Sequence, residues 1–565
     1  MSSMLPPSEP PRWPGGPGPW SSFPQTPDEP AAAAPSEPVP GAPGTEPTVV
    51  ETTGGQGGRG LVYGLVGGGV AAALALGGAG VWAWSALGGG GDRPAVALPA
   101  STFFYAAVDL DPAAGQKIEA FRTLNKFPAF SEAGLEDDGE LSGGFWDTFF
   151  DTEDCANFDA AKDVTPWLGQ RAAFAGVALD DDVVPVGVVQ VTDPAAAPAG
   201  LLTLKACDTT GDATSVDGVK PTWVVRDGWA YVGRTEKSAR AVADAAASGT
   251  TLADSPGFTS WMDSIGDQGV LTLWAAPKPG QKATALLRKI GSDPQVARLG
   301  AAGEQFDTFQ GGAATLRFAD GGLEMSIATG MEPGAGAVVG TGLGDAMSDL
   351  PDDTLAAVGL STGEGWSAEL ADSIAQQSGG EIDAQAFYDA LGEQTGLSLP
   401  GDLDALLGKG VVVSLGGDVD PRLFSGRGDP MKVPAAATFT GEPAEIERVL
   451  GKLASLDPSA EKVLATTRAG EDRVVVGPNG AYRKAVAAGG GLGDEDRFTK
   501  VVPHADEAVF VFYLDLDGAD NWLVNLAAED DEEAAKNLEP LSAVGISSWV
   551  EDDDVLRTTV RAMTD

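Results

Sequence analysis

The sequence predicts an α+β protein: a disordered N-terminal tail, one transmembrane helix, then two tandem related α+β domains with largely antiparallel sheets. Three observations predict it. Residues 61–87, LVYGLVGGGVAAALALGGAGVWAWSAL, form a 27-residue run without Asp, Glu, Lys, Arg, His, Asn or Gln. Beyond that run, seven short blocks of sequence occur twice in the same order. Within each copy, period-two and helical stretches interleave irregularly, without the regular strand–helix alternation of a parallel sheet.

Residues 1–58 are a Pro/Gly/Ala/Glu mixture with no apolar periodicity, which cannot bury a core and is expected to be a disordered cytoplasmic tail. Its P-x-x-P spacings (Pro11 to Pro14, Pro24 to Pro27, Pro35 to Pro38) would offer docking sites to a cytoplasmic partner. A plain spacer is the preferred reading, since so many prolines produce such spacings by chance.

The run 61–87 exceeds the roughly 20 apolar residues a helix needs to cross a hydrocarbon layer about 30 Å thick. Tyr63 at one end, with Trp82 and Trp84 at the other, suits the two bilayer interfaces. A buried core helix or a signal peptide cleaved near Ala95-Val96-Ala97 are the alternatives, but a tail of some sixty residues is too long for an ordinary n-region. Arg59 and Arg93 tie the flanking charges, so orientation rests on the short tail before the run and the large folded portion after it. The expectation is a single-pass plasma-membrane signal anchor, N-terminus cytoplasmic and C-terminal domains extracytoplasmic. Gly64, Gly68, Gly69, Ala73 and Gly77 would let two such helices pack as a homodimer, although glycine and alanine are simply abundant there.

After a glycine-rich linker at 88–97, the copies are assigned to 98–330 and 350–565, with a second linker at 331–349. Leu98-Pro99 returns as Leu350-Pro351, Leu168-Gly169 as Leu407-Gly408, and Asp193-Pro194 as Glu442-Pro443. WAYVGR, ending near Gly233, returns as RVVVGP near Gly477; Leu252, Asp254, Phe258 and Thr259 return as Leu492, Asp494, Phe498 and Thr499. Val270–Trp274 matches Phe510–Leu514, and the closing hairpin recurs as well. A period above two hundred residues is a duplicated domain rather than a solenoid. Asp254 and Asp494, each just before a short helical stretch, are read as helix caps.

The chain carries 82 acidic against 36 basic residues, a formal net charge of −46, which repels nucleic acid and anionic headgroups. Two cysteines, Cys155 and Cys207, and one histidine, His504, exclude cysteine zinc frameworks and most histidine-dependent mechanisms. In an oxidising compartment Cys155 and Cys207 would pair, closing a loop worth roughly 4 kcal/mol; free buried thiols are the alternative. What recurs between the copies is proline, glycine, aromatic and aliphatic residues, so no shared catalytic constellation is predicted, and no catalytic, cofactor or metal residue is assigned. Asp180–Asp182, Asp515 with Asp517, and Asp552–Asp554 are the densest oxygen clusters, but none has EF-hand spacing. No glycine loop is followed by the Gly-Lys-Ser/Thr of a phosphate loop.

The stretch LPASTFFYAAVDLDP at 98–112, behind a Gly/Ala-rich run, resembles a domain-of-unknown-function family of actinobacterial single-pass membrane proteins. The resemblance spans roughly 60–565 and implies topology without an activity, ligand or catalytic residue. The sequence therefore leaves the function unknown. Its leading reading is a non-catalytic, membrane-anchored binding or scaffolding ectodomain for an envelope ligand, with the bilayer as its other partner. An envelope hydrolase with one carboxylate site, or a signalling protein using the Pro-rich tail, are the alternatives.

Overall fold

The computed structural model describes residues 93–109, 114–128, 160–207, 222–290, 305–332, 339–340, 343–377, 383–420, 428–457, 460–528, 531–551 and 555–565. Among the described residues, eight strands come from the first copy: β1 (Thr102–Asp109), β2 (Leu168–Leu179), β3 (Asp182–Val191), β4 (Thr222–Arg226), β5 (Trp229–Gly233), β6 (Leu271–Ala275), β7 (Gly312–Ala319) and β8 (Gly322–Gly330). Eight follow from the second: β9 (Thr354–Ser361), β10 (Gly410–Gly416), β11 (Ala435–Thr440), β12 (Thr466–Ala469), β13 (Arg473–Val476), β14 (Ala508–Asp515), β15 (Leu541–Glu551) and β16 (Val555–Thr564).

All sixteen lie in one sheet, ordered β12-β13-β11-β10-β9-β14-β15-β16-β8-β7-β6-β1-β2-β3-β5-β4, and every named strand pair is antiparallel. Read outward from the centre, β8-β7-β6-β1-β2-β3-β5-β4 and β16-β15-β14-β9-β10-β11-β13-β12 are the same order. The two sets do not interleave. They meet edge to edge through β8 and β16, with Ser326 opposite Thr559 near the middle of that ladder. The pairs on either side, Glu324 with Arg561 and Ala328 with Arg557, exchange under a two-fold axis through Ser326 and Thr559.

Strand register fixes which residues correspond. Tyr105 pairs with Ala175 and Trp274, and Ala357 pairs with Ser414 and Tyr513. Trp274 therefore corresponds to Tyr513, one residue earlier than the sequence match to Leu514. Burial gives the reason: Trp274 and Tyr513 face the core, whereas Leu514 lies on the opposite face of its strand. Each core is built alike, with Phe258 edge-on to Tyr105 and Trp274 in the first half and Phe498 edge-on to Tyr513 in the second. Helices Pro256–Ile265 and Asp496–Val501 carry these phenylalanines and lie over β7 and β8 and over β15 and β16, the strands nearest the seam. The helix opened by Pro443 buries Ile446, Val449 and Leu450, which stand on one face at spacings of three and four. Asp254 and Asp494 are not the caps: the helices begin after Ser255 and Glu495, and Asp254 accepts the Thr251 hydroxyl at 2.7 Å.

The expected transmembrane helix, and the single-pass plasma-membrane address built on it, are corrected here. Among the described residues no helix is long and apolar enough to cross a membrane. The run 61–87 lies outside the described residues, as do Gly64, Gly68, Gly69, Ala73, Gly77 and the tail 1–58.

Candidate functional site

The acidic clusters named from sequence are tied into the fold. Asp180 turns the chain between β2 and β3 with φ 51°, and Asp182 binds Lys289 at 2.5 Å; that hydrogen bond holds its carboxyl below the usual range. Asp515 Oδ1 accepts the amides of Asp517 and Gly518 at 3.1 and 3.0 Å, and Arg497 bridges Asp515 and Asp517. Burial, then the charge of Asp565, raises the Asp517 pKa. Asp552–Asp554 and Cys155 lie outside the described residues, and Cys207 ends helix Ala197–Cys207. His504 stacks on Trp549 with ring centroids 4.2 Å apart. Among the described residues no group of three or more His, Cys, Asp and Glu is placed to hold a metal ion.

The most buried carboxylate among the described residues sits beside the two-fold axis. Glu324, on β8, is held by Arg317 of β7 and Arg561 of β16, with Arg561 Nε at 2.6 Å and Ser326 Oγ donating at 3.0 Å. The two arginines also close helix ends: Arg317 donates to the Ile265 and Asp267 carbonyls at 3.3 and 3.0 Å, and Arg561 to the Lys500 carbonyl at 2.7 Å. One carboxylate thus joins the covering helix of each half. Burial alone would raise its pKa, but Arg561 and Arg317 outweigh that and keep it lowered. Asp402 is likewise fixed as an anion by Lys452, the Ser398 amide and Arg448, at 2.6, 2.7 and 2.8 Å. Such groups hold structure; they are poor proton donors or acceptors near neutral pH.

Correspondence between the halves exposes a different kind of site. In the first half, the row Phe174–Ala106–Leu273 crosses β2, β1 and β6 on the face away from the main core. Helix Gly280–Ile290 lies over β3 and β2, at one end of that row: its Leu286 and Ala285 pack with Phe103, Phe104 and Phe174, the last two rings meeting edge-on at 6.2 Å. The matching row in the second half is Val413–Val358–Phe512, across β10, β9 and β14. Here Val413 and Val358 are 51% and 41% exposed. The helix in the matching chain position, Gly518–Ala528, begins with Ala519, Asp520 and Asn521 in left-handed backbone. It packs against helix Glu532–Leu538, touches the sheet at β9 and buries none of its own residues. Sequence reasoning missed this strip, because its residues read as ordinary strand alternation and only the pairing shows which of them lack a cover.

A family model described as "Protein of unknown function (DUF3352)" matches residues 65–408. No curated protein and no solved structure matches the chain.

Proposed function

The chain belongs to the DUF3352 family of proteins of unknown function, and we propose that it is a non-catalytic binding protein built from two related halves, 98–330 and 350–565. The observation that carries this reading is the strip Val413–Val358–Phe512, whose two valines are exposed, whereas Phe174, in the place of Val413, packs against helix Gly280–Ile290. An apolar strip left open on one of two related halves favours a surface that receives something. The interior carboxylates Glu324 and Asp402 favour the same reading, since both are spent on holding helices and strands in place. The hydrolase alternative draws on Asp517, whose pKa is raised, but its neighbour Asp515 is occupied by two backbone amides and Arg497.

The test is binding of the uncharged apolar fluorophore Nile red to the native chain, compared with V413D and V358D. Both positions are exposed, so the fold tolerates the change, and V413T serves as the strand-compatible control. Enhancement of dye fluorescence should fall in both aspartate variants and persist in V413T. Equal fluorescence in all four proteins would remove the strip as a binding surface.

A further inference from the structure

We infer that His504 and Trp549 form a proton-operated clamp on the covering helix of the second half, at a place where the first half uses a permanent charge. The two-fold axis through Ser326 and Thr559 makes Arg557 the counterpart of Glu324, and the strands beyond follow. Arg317 pairs with Glu324 and Trp549 pairs with Arg557, so Trp549 stands where the first half has Arg317. Arg317 ties the end of helix Pro256–Ile265 to the sheet through the Ile265 and Asp267 carbonyls. A guanidinium keeps its charge at every pH a folded protein meets, so that tie is constant.

In the second half the tie is made by a side chain that can change its charge. Helix Asp496–Val501 is followed at once by Val502, Pro503 and His504, the only histidine of the chain. Left-handed backbone at His504, φ 58° and ψ 32°, turns the chain into the short helix Ala505–Glu507, which packs against β15 and helix Gly344–Ser348. The imidazole lies on Trp549 with centroids 4.2 Å and planes 22° apart, and its Nδ1 is 3.7 Å from Glu507 Oε2. A proton on that ring puts a cation on the indole face and beside a carboxylate, and both attract it. The other charged side chains on the elements packed here are Asp506 on the same turn, Asp345 on helix Gly344–Ser348 and Glu551 on β15. Arg557, opposite Trp549, already donates to Glu551 at 2.7 Å, and Lys500 of the covering helix pairs with Asp496 at 3.7 Å. The clamp is therefore tightest in mild acid and relaxes as pH rises and the proton leaves.

The experiment is hydrogen–deuterium exchange of the full chain, read by peptide mass spectrometry between about pH 5.5 and pH 8, where an imidazole changes its charge, and corrected for the intrinsic exchange rate. Protection of helix Asp496–Val501 is expected to rise about threefold from the alkaline to the acid end, the scale of an exposed cation–π contact. Helix Pro256–Ile265, held by Arg317, should stay constant and serves as the internal control. H504N suits left-handed backbone but takes up no proton, and should hold helix Asp496–Val501 at the weaker level throughout. H504R, charged at every pH, should hold it at the stronger level. W549L should abolish the response with His504 in place. A wild type without a response overturns the inference, as does an equal response in H504N, which would assign it to carboxylates, or an equal response of both helices, which would make it global. If W549L also loosens helix Pro256–Ile265 it has damaged the fold, and the two variants at the half-exposed His504 decide.

Discussion

At the scale of single residues, Glu324 shows both what the sequence carries and what it hides. Looking for residue types shared by the two copies finds the aromatic cores, because Phe258 and Phe498 do the same work in each. It cannot find Glu324. Its partner across the seam is Arg561, whose counterpart in the first half is Ala328, and its own counterpart is Arg557, which faces Ala328. The ion pair is therefore made once, and neither of its residues recurs in the other copy. Removing the carboxylate leaves Arg317 and Arg561 facing each other in a buried seam. Glu324→Gln should therefore cost about 3 kcal/mol at pH 7, as when one partner of a buried pair is removed. Because the folded-state pKa of Glu324 is lowered, its contribution is fully present above the ordinary glutamate value of 4.5 and is lost as pH falls through the folded value. Urea unfolding of wild type and E324Q should thus differ most at neutral pH and converge in acid. A difference that stays constant with pH would show that shape rather than charge holds the seam.

Elements were legible to the extent that one face of each was buried. The runs of alternating apolar residues at 102–110, 172–179 and 183–191 form β1, most of β2 and most of β3, and Pro443 opens a helix whose apolar residues recur at helical spacing. Register was less legible. β14 is apolar on both faces, so residue type allowed Leu514 to stand for Trp274, and pairing with β9 was needed to select Tyr513. The packing of the two covering helices also differs in a way one residue explains. Ala313 of β7 corresponds to Gly545 of β15, since Ala313 pairs with Trp274 and Gly545 with Tyr513. A Cβ built on Gly545 would lie 2.3 Å from the Val501 carbonyl oxygen, so helix Asp496–Val501 packs closer to the sheet than an alanine permits. Backbone cannot turn aside as a side chain can. Gly545→Ala should push that helix outward and cost roughly 2–3 kcal/mol, the scale of overpacking in a filled core. The converse substitution, Ala313→Gly, should cost about 1 kcal/mol or less, through strand entropy. Thermal unfolding of the two variants checks the asymmetry; equal losses would mean that the helices pack alike.

For the whole molecule, the repeat was readable because both copies keep the residues that set strand ends, turns and core aromatics. That the copies share one sheet was not, because β8 and β16 are each the last arm of a hairpin and carry no residue pattern that names a partner for their free edge. Net charge was readable and has a consequence at this scale alone. With 82 acids against 36 bases, most acidic side chains have no basic side chain to pair with, and many of the pairs present are solvent-exposed. Exposed pairs contribute little, while long-range repulsion among the surplus acids acts on the folded chain as a whole. Raising NaCl from about 10 mM to 0.3 M shortens the Debye length from roughly 30 Å to below 8 Å, which screens the repulsion more than it weakens the buried Glu324 and Asp402 pairs. Stability should therefore rise with salt, with a midpoint gain of about 2–4 °C for each kcal/mol recovered. Differential scanning calorimetry across that range checks the sign, with KCl as the control for a specific sodium effect. A midpoint that falls with salt would mean that attractive surface pairs outweigh the repulsion, and that the acidic surplus is organised around partners within the chain.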